Sequence, residues 1–121
     1  MSGKENILKQ KSFAFAVRIV KLYTYLCETK KEFVMSKQCL RSGTAIGAMV
    51  REAEYAASKA DFIHKMTIAI KEANETLYWL DLVFETKFLD KKLYESIKID
   101  SEEILKLLTA SIKTAKNNMK S

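Results

Sequence analysis

Few residues of this 121-residue chain have the types and spacing that catalysis or metal binding requires. The single histidine, His64, stands eight residues before Glu72, whereas carboxylate-bridged metal centres in helical bundles take a Glu-x-x-His pair from each of two helices. Cys27 and Cys39 have neither CxxC spacing nor a nearby histidine, which favours buried, reduced thiols over a zinc or redox site. We therefore expect a surface histidine, no metal, no cofactor and no catalytic residue.

The segment SGTAIG, residues 42–47, is the other candidate for chemistry. A phosphate-binding loop would need a Lys-Ser/Thr pair after the last glycine and a preceding strand, and the sequence has neither. Gly43 and Gly47 lie instead in a helix-forming stretch, where each glycine costs about 0.5–1 kcal/mol relative to alanine. We predict that another helix packs unusually closely there. A membrane helix dimer with GxxxG spacing is excluded by the flanking charges of Arg41, Arg51 and Glu52.

The positive charge is concentrated in one part of the chain. Residues 1–41 hold nine Lys/Arg against three Asp/Glu, and residues 42–121 hold twelve of each, so the first third carries the whole excess of +6. Such asymmetry favours polyanions or an acidic partner protein through an attraction that salt screens. A solvated, solubilising face is the alternative.

The elements that position these residues are predicted to be helices. Proline is absent, only three glycines occur, and apolar residues recur at helical spacing. The periodicity predicts an all-α, up-down-up-down antiparallel four-helix bundle in a single domain, 1–121, with helices at about 12–30, 32–57, 59–87 and 90–118. No apolar run reaches the roughly 18 residues that a membrane span requires. Because the start also lacks a secretory signal, we expect a cytoplasmic protein.

Cap signals refine these boundaries. Thr29 with Glu32 predicts a capping box before the second helix, and Ser58 with Asp61 predicts one before the third. Residues 5–11 can extend the first helix backwards. The segment DSEE, 100–103, has the form of a new N-cap, so a kink or restart of the last helix stays open.

Two helices carry apolar residues outside the stripe that faces the core. Apolar residues of the first helix cover roughly 200° of its circumference, against the roughly 100° that faces a core. This excess predicts a second copy of the chain packed on Ile19, Leu22 and Leu26. On the third helix, Ile68 and Trp79 are interleaved with Glu72 and Glu75, a mixed patch that suits an interface.

The sequence also resembles a known family. The segments FVMSKQCLRSGTAIGAMVREAEYA and SKADFIHKMTIAIKEANETLYWLDLV carry the resemblance, together with FAVRIVKLYTYL and SEEILKLLTASIKTAK. They are similar to the bacterial four-helix bundles called 23S rRNA-intervening-sequence proteins, whose pattern falls here on residues 41–44, 60–62, 65, 69, 72, 75 and 78–80. Met49 departs from it, because relatives often have Asn there.

The resemblance implies a ring-like homo-oligomer, a pentamer in relatives that include the accessory protein of diversity-generating retroelements. Those relatives are basic, bind nucleic acid and contact a reverse transcriptase. Our hypothesis is a non-enzymatic oligomer that binds RNA or DNA backbones, or a nucleic-acid-handling protein, and no membrane. The expected nucleic-acid contacts are Lys9, Lys11, Arg18, Lys21, Lys37 and Arg41. The alternative is a protein scaffold that presents Tyr78 and Trp79, or the cationic face, to an acidic partner and binds no nucleic acid.

Overall fold

Four helices make up the chain in the computed structural model, which describes residues 3–120 and all side chains in that range except those of residues 4, 5 and 120. They are α1 (Gly3–Glu28), α2 (Met35–Glu54), α3 (Lys59–Glu85) and α4 (Lys91–Lys120). No strand occurs within 3–120. The prediction of an all-α protein with four helices is confirmed.

The helices pack in a closed order around one core. Backbones approach within 8 Å between α1 and α2, α2 and α3, α3 and α4, and α4 and α1, but not across either diagonal in the described chain. Neighbours in sequence are thus neighbours in space, as short connections require. The connections at 29–34 and 86–90 therefore lie at one end of the bundle, and the connection at 55–58 lies at the other.

The core is filled by one stripe from each helix. The large side chains buried completely include Phe15, Ile46, Leu80 and Ile104. The buried hydroxyl of Thr76 on α3 donates to the Oγ of Ser42 on α2 at 2.9 Å, so these polar groups are paired inside the core. None of the helices in the described range is long and apolar enough to cross a bilayer.

The ends of α1 and α2 differ from the predicted ones. The first helix begins at Gly3 rather than at Ser12, as the backward extension allowed, and it ends at Glu28. The second helix runs from Met35 to Glu54 instead of over 32–57, and its capping box from Thr29 is wrong. The chain turns at Lys31, which is left-handed with φ 56°, and the Glu32 carboxylate then accepts from the amides of residues 34–36, so Glu32 precedes α2 instead of belonging to it.

The ends of α3 and α4 follow the prediction more closely. Ser58 accepts a hydrogen bond from the Asp61 amide at 3.0 Å, which confirms it as the N-cap of α3. The last helix is continuous through Asp100, so the allowed restart does not occur. The Asp100 carboxylate accepts instead from Nη1 of Arg18 on α1 at 2.7 Å, which ties it to the neighbouring helix.

The two glycines of α2 allow α1 to approach closely. A Cβ built on Gly43 would lie 2.9 Å from both Cγ atoms of Ile19, and one on Gly47 would lie 3.3 Å from the backbone oxygen of Ser12. Real Cβ atoms essentially never approach as closely as the first of these distances. The prediction of close helix packing at Gly43 and Gly47 is confirmed, and the neighbour is α1.

We predict that Gly43→Ala lowers the free energy of unfolding by about 1–3 kcal/mol, although alanine is the better helix former by about 1 kcal/mol. The branched Ile19 side chain cannot swing away from the new methyl group. Gly47→Ala is the matched control and should cost less, since its contact is longer. Urea unfolding followed by circular dichroism, at one fixed protein concentration, measures both.

A double-mutant cycle identifies the cause. Ile19→Ala removes both Cγ atoms, so Gly43→Ala should be clearly less destabilising in that background. An equal cost in both backgrounds would show that the Gly43–Ile19 contact does not limit the packing.

Candidate functional site

Three of the six cations predicted to contact nucleic acid lie in ion pairs along α1. Lys9 Nζ lies 3.0 Å from Oε2 of Glu54, although without the alignment of a hydrogen bond. Lys11 pairs with Glu103 on α4, and Arg18 pairs with Asp100 and also donates to the Oγ of Ser96 at 3.1 Å. These cations fasten α1 to its two neighbours, so their charges are already balanced inside the chain.

The fourth paired cation is Arg41, at the centre of a cluster between α2 and α3. Its Nη1 donates to Oε2 of Glu72 at 3.2 Å, and its Nη2 donates to Oε2 of Glu75. The indole of Trp79 donates to the same Glu75 oxygen at 3.0 Å. The Trp79 hydrogen bond and the Arg41 guanidinium together hold the pKa of Glu75 below its usual value. The structure thus joins a predicted nucleic-acid residue to two predicted interface residues.

The cluster around Arg41 joins α2 to α3, and most of its side chains are not free to bind a ligand. Glu72 and Trp79 are half-buried, as is Ile68, the third residue predicted for this interface. Tyr78 beside them is exposed and meets the Trp79 ring edge-on, with centroids 5.0 Å apart. For Arg41 to bind a phosphate, its guanidinium would have to leave two carboxylates.

The cations without a carboxylate partner lie elsewhere. Of the predicted six, Lys21 and Lys37 are exposed and make no ion pair with any described residue. Lys30, Lys31 and Lys87 share these properties, and so do six other described lysines, which are spread along α3 and α4: Lys59, Lys71, Lys92, Lys106, Lys113 and Lys116. Lys30 and Lys87 line one surface depression of about 450 Å³, with Tyr25, Phe84, Glu85, Leu89 and Asp90. We call Lys30, Lys31, Lys37 and Lys87 the lysine end of the bundle.

The sequence prediction missed three residues of the lysine end for identifiable reasons. Lys30 and Lys31 counted in the charge of the first third but fell where the first predicted helix ends and the second begins, so helical periodicity assigned them to no face. Lys87 lies in the evenly charged part of the chain, and only the packing of α4 against both α3 and α1 brings it near Lys30. The single local signal was the pair of adjacent lysines in the connection.

The predicted assembly face on α1 requires a correction. Ile19, Leu22 and Leu26 are at most 4% exposed within a single chain, so they belong to its own core and cannot hold a second copy. The excess of apolar circumference is nevertheless present on the other side of α1: Phe13, Val17 and Val20 are 54%, 39% and 46% exposed. The apolar arc of α1 is wide, as predicted. Which residues of that arc face the core depends on where α2 and α4 lie.

The remaining candidates for chemistry are placed as expected, with one difference. His64 is exposed on α3. Cys39 is buried, and burial raises the pKa of its thiol to about 12, so the thiol stays protonated. Cys27 is only half-buried, with its Sγ 3.7 Å from the Oγ of Ser36.

The connection that carries Lys30 and Lys31 is held by a buried carboxylate. Glu32 accepts hydrogen bonds from the amides of Val34, Met35 and Ser36 at 2.9, 3.0 and 2.7 Å. Its own amide donates to the carbonyl of Leu26 at 2.9 Å. Burial raises the pKa of Glu32, but the amide hydrogen bonds together outweigh it and hold the pKa below its usual value. Glu32 therefore caps α2 as an anion.

Comparison with known proteins decides the family. The model of the 23S rRNA-intervening sequence proteins matches residues 4–110. The chain belongs to this family. No curated protein matches it.

A solved structure of a relative supports the same conclusion. A crystal structure from Bacteroides thetaiotaomicron, described as a protein with unknown function from the S23 ribosomal protein family, is 61% identical. The match covers 91% of this chain and 98% of that one, with a TM-score of 0.90. The relative therefore shares the fold of this chain, and its description assigns it no function.

We predict that Glu32→Gln lowers the free energy of unfolding by about 1–2 kcal/mol at neutral pH, because charge-assisted hydrogen bonds to three amides become neutral ones. The pKa of Glu32 is lowered by folding, so its contribution is complete above the unfolded value of about 4.3 and is lost as the pH falls toward the lower folded value. Urea unfolding of both proteins from pH 7 to pH 3 measures the difference, which should shrink only below that unfolded value. A difference that is constant with pH would contradict an ionised cap.

Proposed function

We propose that this protein is a non-enzymatic, homo-oligomeric bundle in the cytoplasm that binds the phosphate backbone of RNA or DNA through the lysine end. The observation that carries the proposal is the clustering of three unpaired lysines in one short segment. Lys30, Lys31 and Lys37 lie within eight residues of each other, are exposed and have no carboxylate partner in the described chain. Ammonium groups in this state gain most from a phosphate, because no intramolecular pair has to break.

The charges near the lysine end favour its α2 side. Glu32 is the acidic residue between Lys30 and Lys37, and its carboxylate is directed at backbone amides. At the connection between α3 and α4, Glu85 and Asp90 line the depression beside Lys87 and offset its charge. We therefore expect the main phosphate contacts at Lys30, Lys31 and Lys37, with Lys21 nearby on α1.

RNA is favoured over DNA by one observation. The family description names an intervening sequence of 23S rRNA. Lysine ammonium groups contact phosphates without reading base edges, so binding should depend on charge and little on sequence. Three to four neutralised phosphates predict a slope of log K against log salt of about −3.

Self-association is proposed through the exposed apolar strip on α1, which we define as Phe13, Val17 and Val20. These residues lie on one face of the helix at a spacing of three and four. The ring of Phe13 is covered on one side by Arg51, whose Cζ lies 5.0 Å from the ring centroid. Burying the strip against a second copy would remove apolar surface from water, at about 25 cal/mol per Å². Copies joined in a ring would repeat the lysine end around it.

The alternative is a protein scaffold without nucleic-acid binding. The exposure of Tyr78 beside Trp79 favours it, because aromatic residues are enriched where proteins meet. Failure of the protein to bind RNA at low salt would favour this second function.

We predict that Val17→Glu breaks the assembly, because a carboxylate would be buried in an apolar contact. Light scattering should give a multiple of 13.9 kDa for the unchanged protein and a value near 13.9 kDa for the variant. Ile99→Glu is the matched control, since Ile99 is an exposed apolar residue of α4 outside the strip. A folded Val17→Glu variant with the unchanged mass would exclude the strip, and a monomeric unchanged protein would exclude the oligomer.

We predict that neutralising the three unpaired lysines at the α1–α2 connection weakens RNA binding far more than neutralising three ion-paired cations of α1 does. Lys30, Lys31 and Lys37 changed together to Gln should flatten the salt slope by about 2–3. The matched control changes Lys9, Lys11 and Arg18 to Gln, which removes the same three charges from positions that are ion-paired. Fluorescence anisotropy with labelled RNA, at salt concentrations from low to physiological, measures both.

Comparing the two triple variants separates direct contact between lysines and phosphates from the general attraction of a basic protein for RNA. Equal slopes for the two triple variants would show that the lysine end makes no direct contact. No binding by the unchanged protein at the lowest salt concentration would contradict the nucleic-acid function altogether.

A further inference from the structure

The connection between α1 and α2 exposes two adjacent apolar side chains. Phe33 is 58% exposed and Val34 is 74% exposed, although the surrounding chain buries most of its large apolar residues. The same connection carries Lys30 and Lys31, and Lys37 follows in the first turn of α2. An aromatic ring and three unpaired ammonium groups thus share one short segment.

The exposure of Phe33 is fixed by the backbone on both sides. The Glu32 amide donates to Leu26 at the end of α1, and the Glu32 carboxylate accepts from three amides, of Val34, Met35 and Ser36. The Ser36 hydroxyl donates to the carbonyl of Glu32 at 2.8 Å. The buried Glu32 therefore holds the backbone in the conformation that exposes the Phe33 ring to solvent. These bonds also occupy the first amides of α2, so any anion here must be bound by the lysine side chains.

We propose that Phe33 is a stacking platform for an unpaired base, with Lys30, Lys31 and Lys37 binding the adjacent phosphates; this inference rests on the proposed function. Proteins that bind single strands combine basic residues along the backbone with aromatic rings that stack the bases. In a duplex the faces of the bases are already stacked, so the ring distinguishes single-stranded segments and loops from paired ones.

The charge and the size of the patch favour this occupant. Three unpaired lysines complement a chain of phosphates. One ring is sufficient for one base, whereas stable attachment to an anionic membrane needs a larger apolar face, of the kind an amphipathic helix presents. A two-fold contact with a second copy through this patch would bring the same lysines of two chains together, which like charges oppose.

In a Phe33→Trp variant, the fluorescence of the new indole reports whether a base stacks at this position. The chain has a single tryptophan, Trp79 on α3, so the unchanged protein gives the background emission. A base stacked on the new indole should quench its emission. Tyr55→Trp is the matched control, because Tyr55 is an exposed aromatic residue in the connection at the opposite end of the bundle. The ligands are an unstructured RNA, a blunt RNA duplex, inorganic polyphosphate and phosphatidylserine vesicles.

The expected result is quenching of the Phe33→Trp protein by the unstructured RNA, with little quenching by duplex or polyphosphate and none in the Tyr55→Trp protein. Phe33→Ala should weaken binding of the unstructured RNA by about 5- to 150-fold, the range that loss of one stacked base gives. Its affinity for duplex and polyphosphate should stay unchanged.

Four other outcomes would overturn the inference. Single-stranded RNA that binds without quenching shows phosphate contact alone and leaves the proposed function standing. A blue shift with vesicles and no quenching by RNA shows that Phe33 enters a lipid surface. A blue shift that grows with protein concentration alone shows that Phe33 lies between copies. Failure of every polyanion to bind at low salt contradicts the proposed function and removes this inference with it.

Discussion

The close approach of α1 and α2 at Gly43 is the constraint on which the rest of the molecule depends. With no side chain at Gly43, Ile19 lies directly against the α2 backbone, and this contact sets how far α1 is rotated about its own axis. The rotation buries Ile19, Leu22 and Leu26 and leaves Phe13, Val17 and Val20 in water. A glycine in one helix thereby decides which face of the other is free for assembly.

The same rotation decides which cations are free. Arg18 and Lys11 are turned toward α4, where carboxylates meet them, and Lys9 is turned toward Glu54 of α2. Exposed ion pairs of this kind add little stability each, about 0–1 kcal/mol. Their larger effect is to balance charge locally. The unbalanced positive charge of the first third therefore lies mainly in the connection between α1 and α2 and in the first turn of α2.

Glu32 links the fold to the proposed contact surface. Its carboxylate caps the first amides of α2. The same hydrogen bonds hold Phe33 and Val34 in the exposed position. A single buried acidic residue thus organises a segment that is otherwise basic and apolar. The same group serves stability and, in our proposal, recognition, because a rigid ring loses less conformational freedom when a ligand binds it.

The sequence by itself determined the helices, their order and the close packing at Gly43 and Gly47, because apolar periodicity and the cost of interior glycines are local properties. It also determined that α1 has more apolar surface than one core needs and that the excess charge lies in the first third. Only the tertiary structure decided which side of α1 faces the core and which cations have partners, since both depend on carboxylates and backbones far away in the chain. The start of α2 at Met35 instead of Glu32 was missed for a related reason: the left-handed conformation of Lys31 and the bond from Glu32 to Leu26 arise only when the two helices are packed.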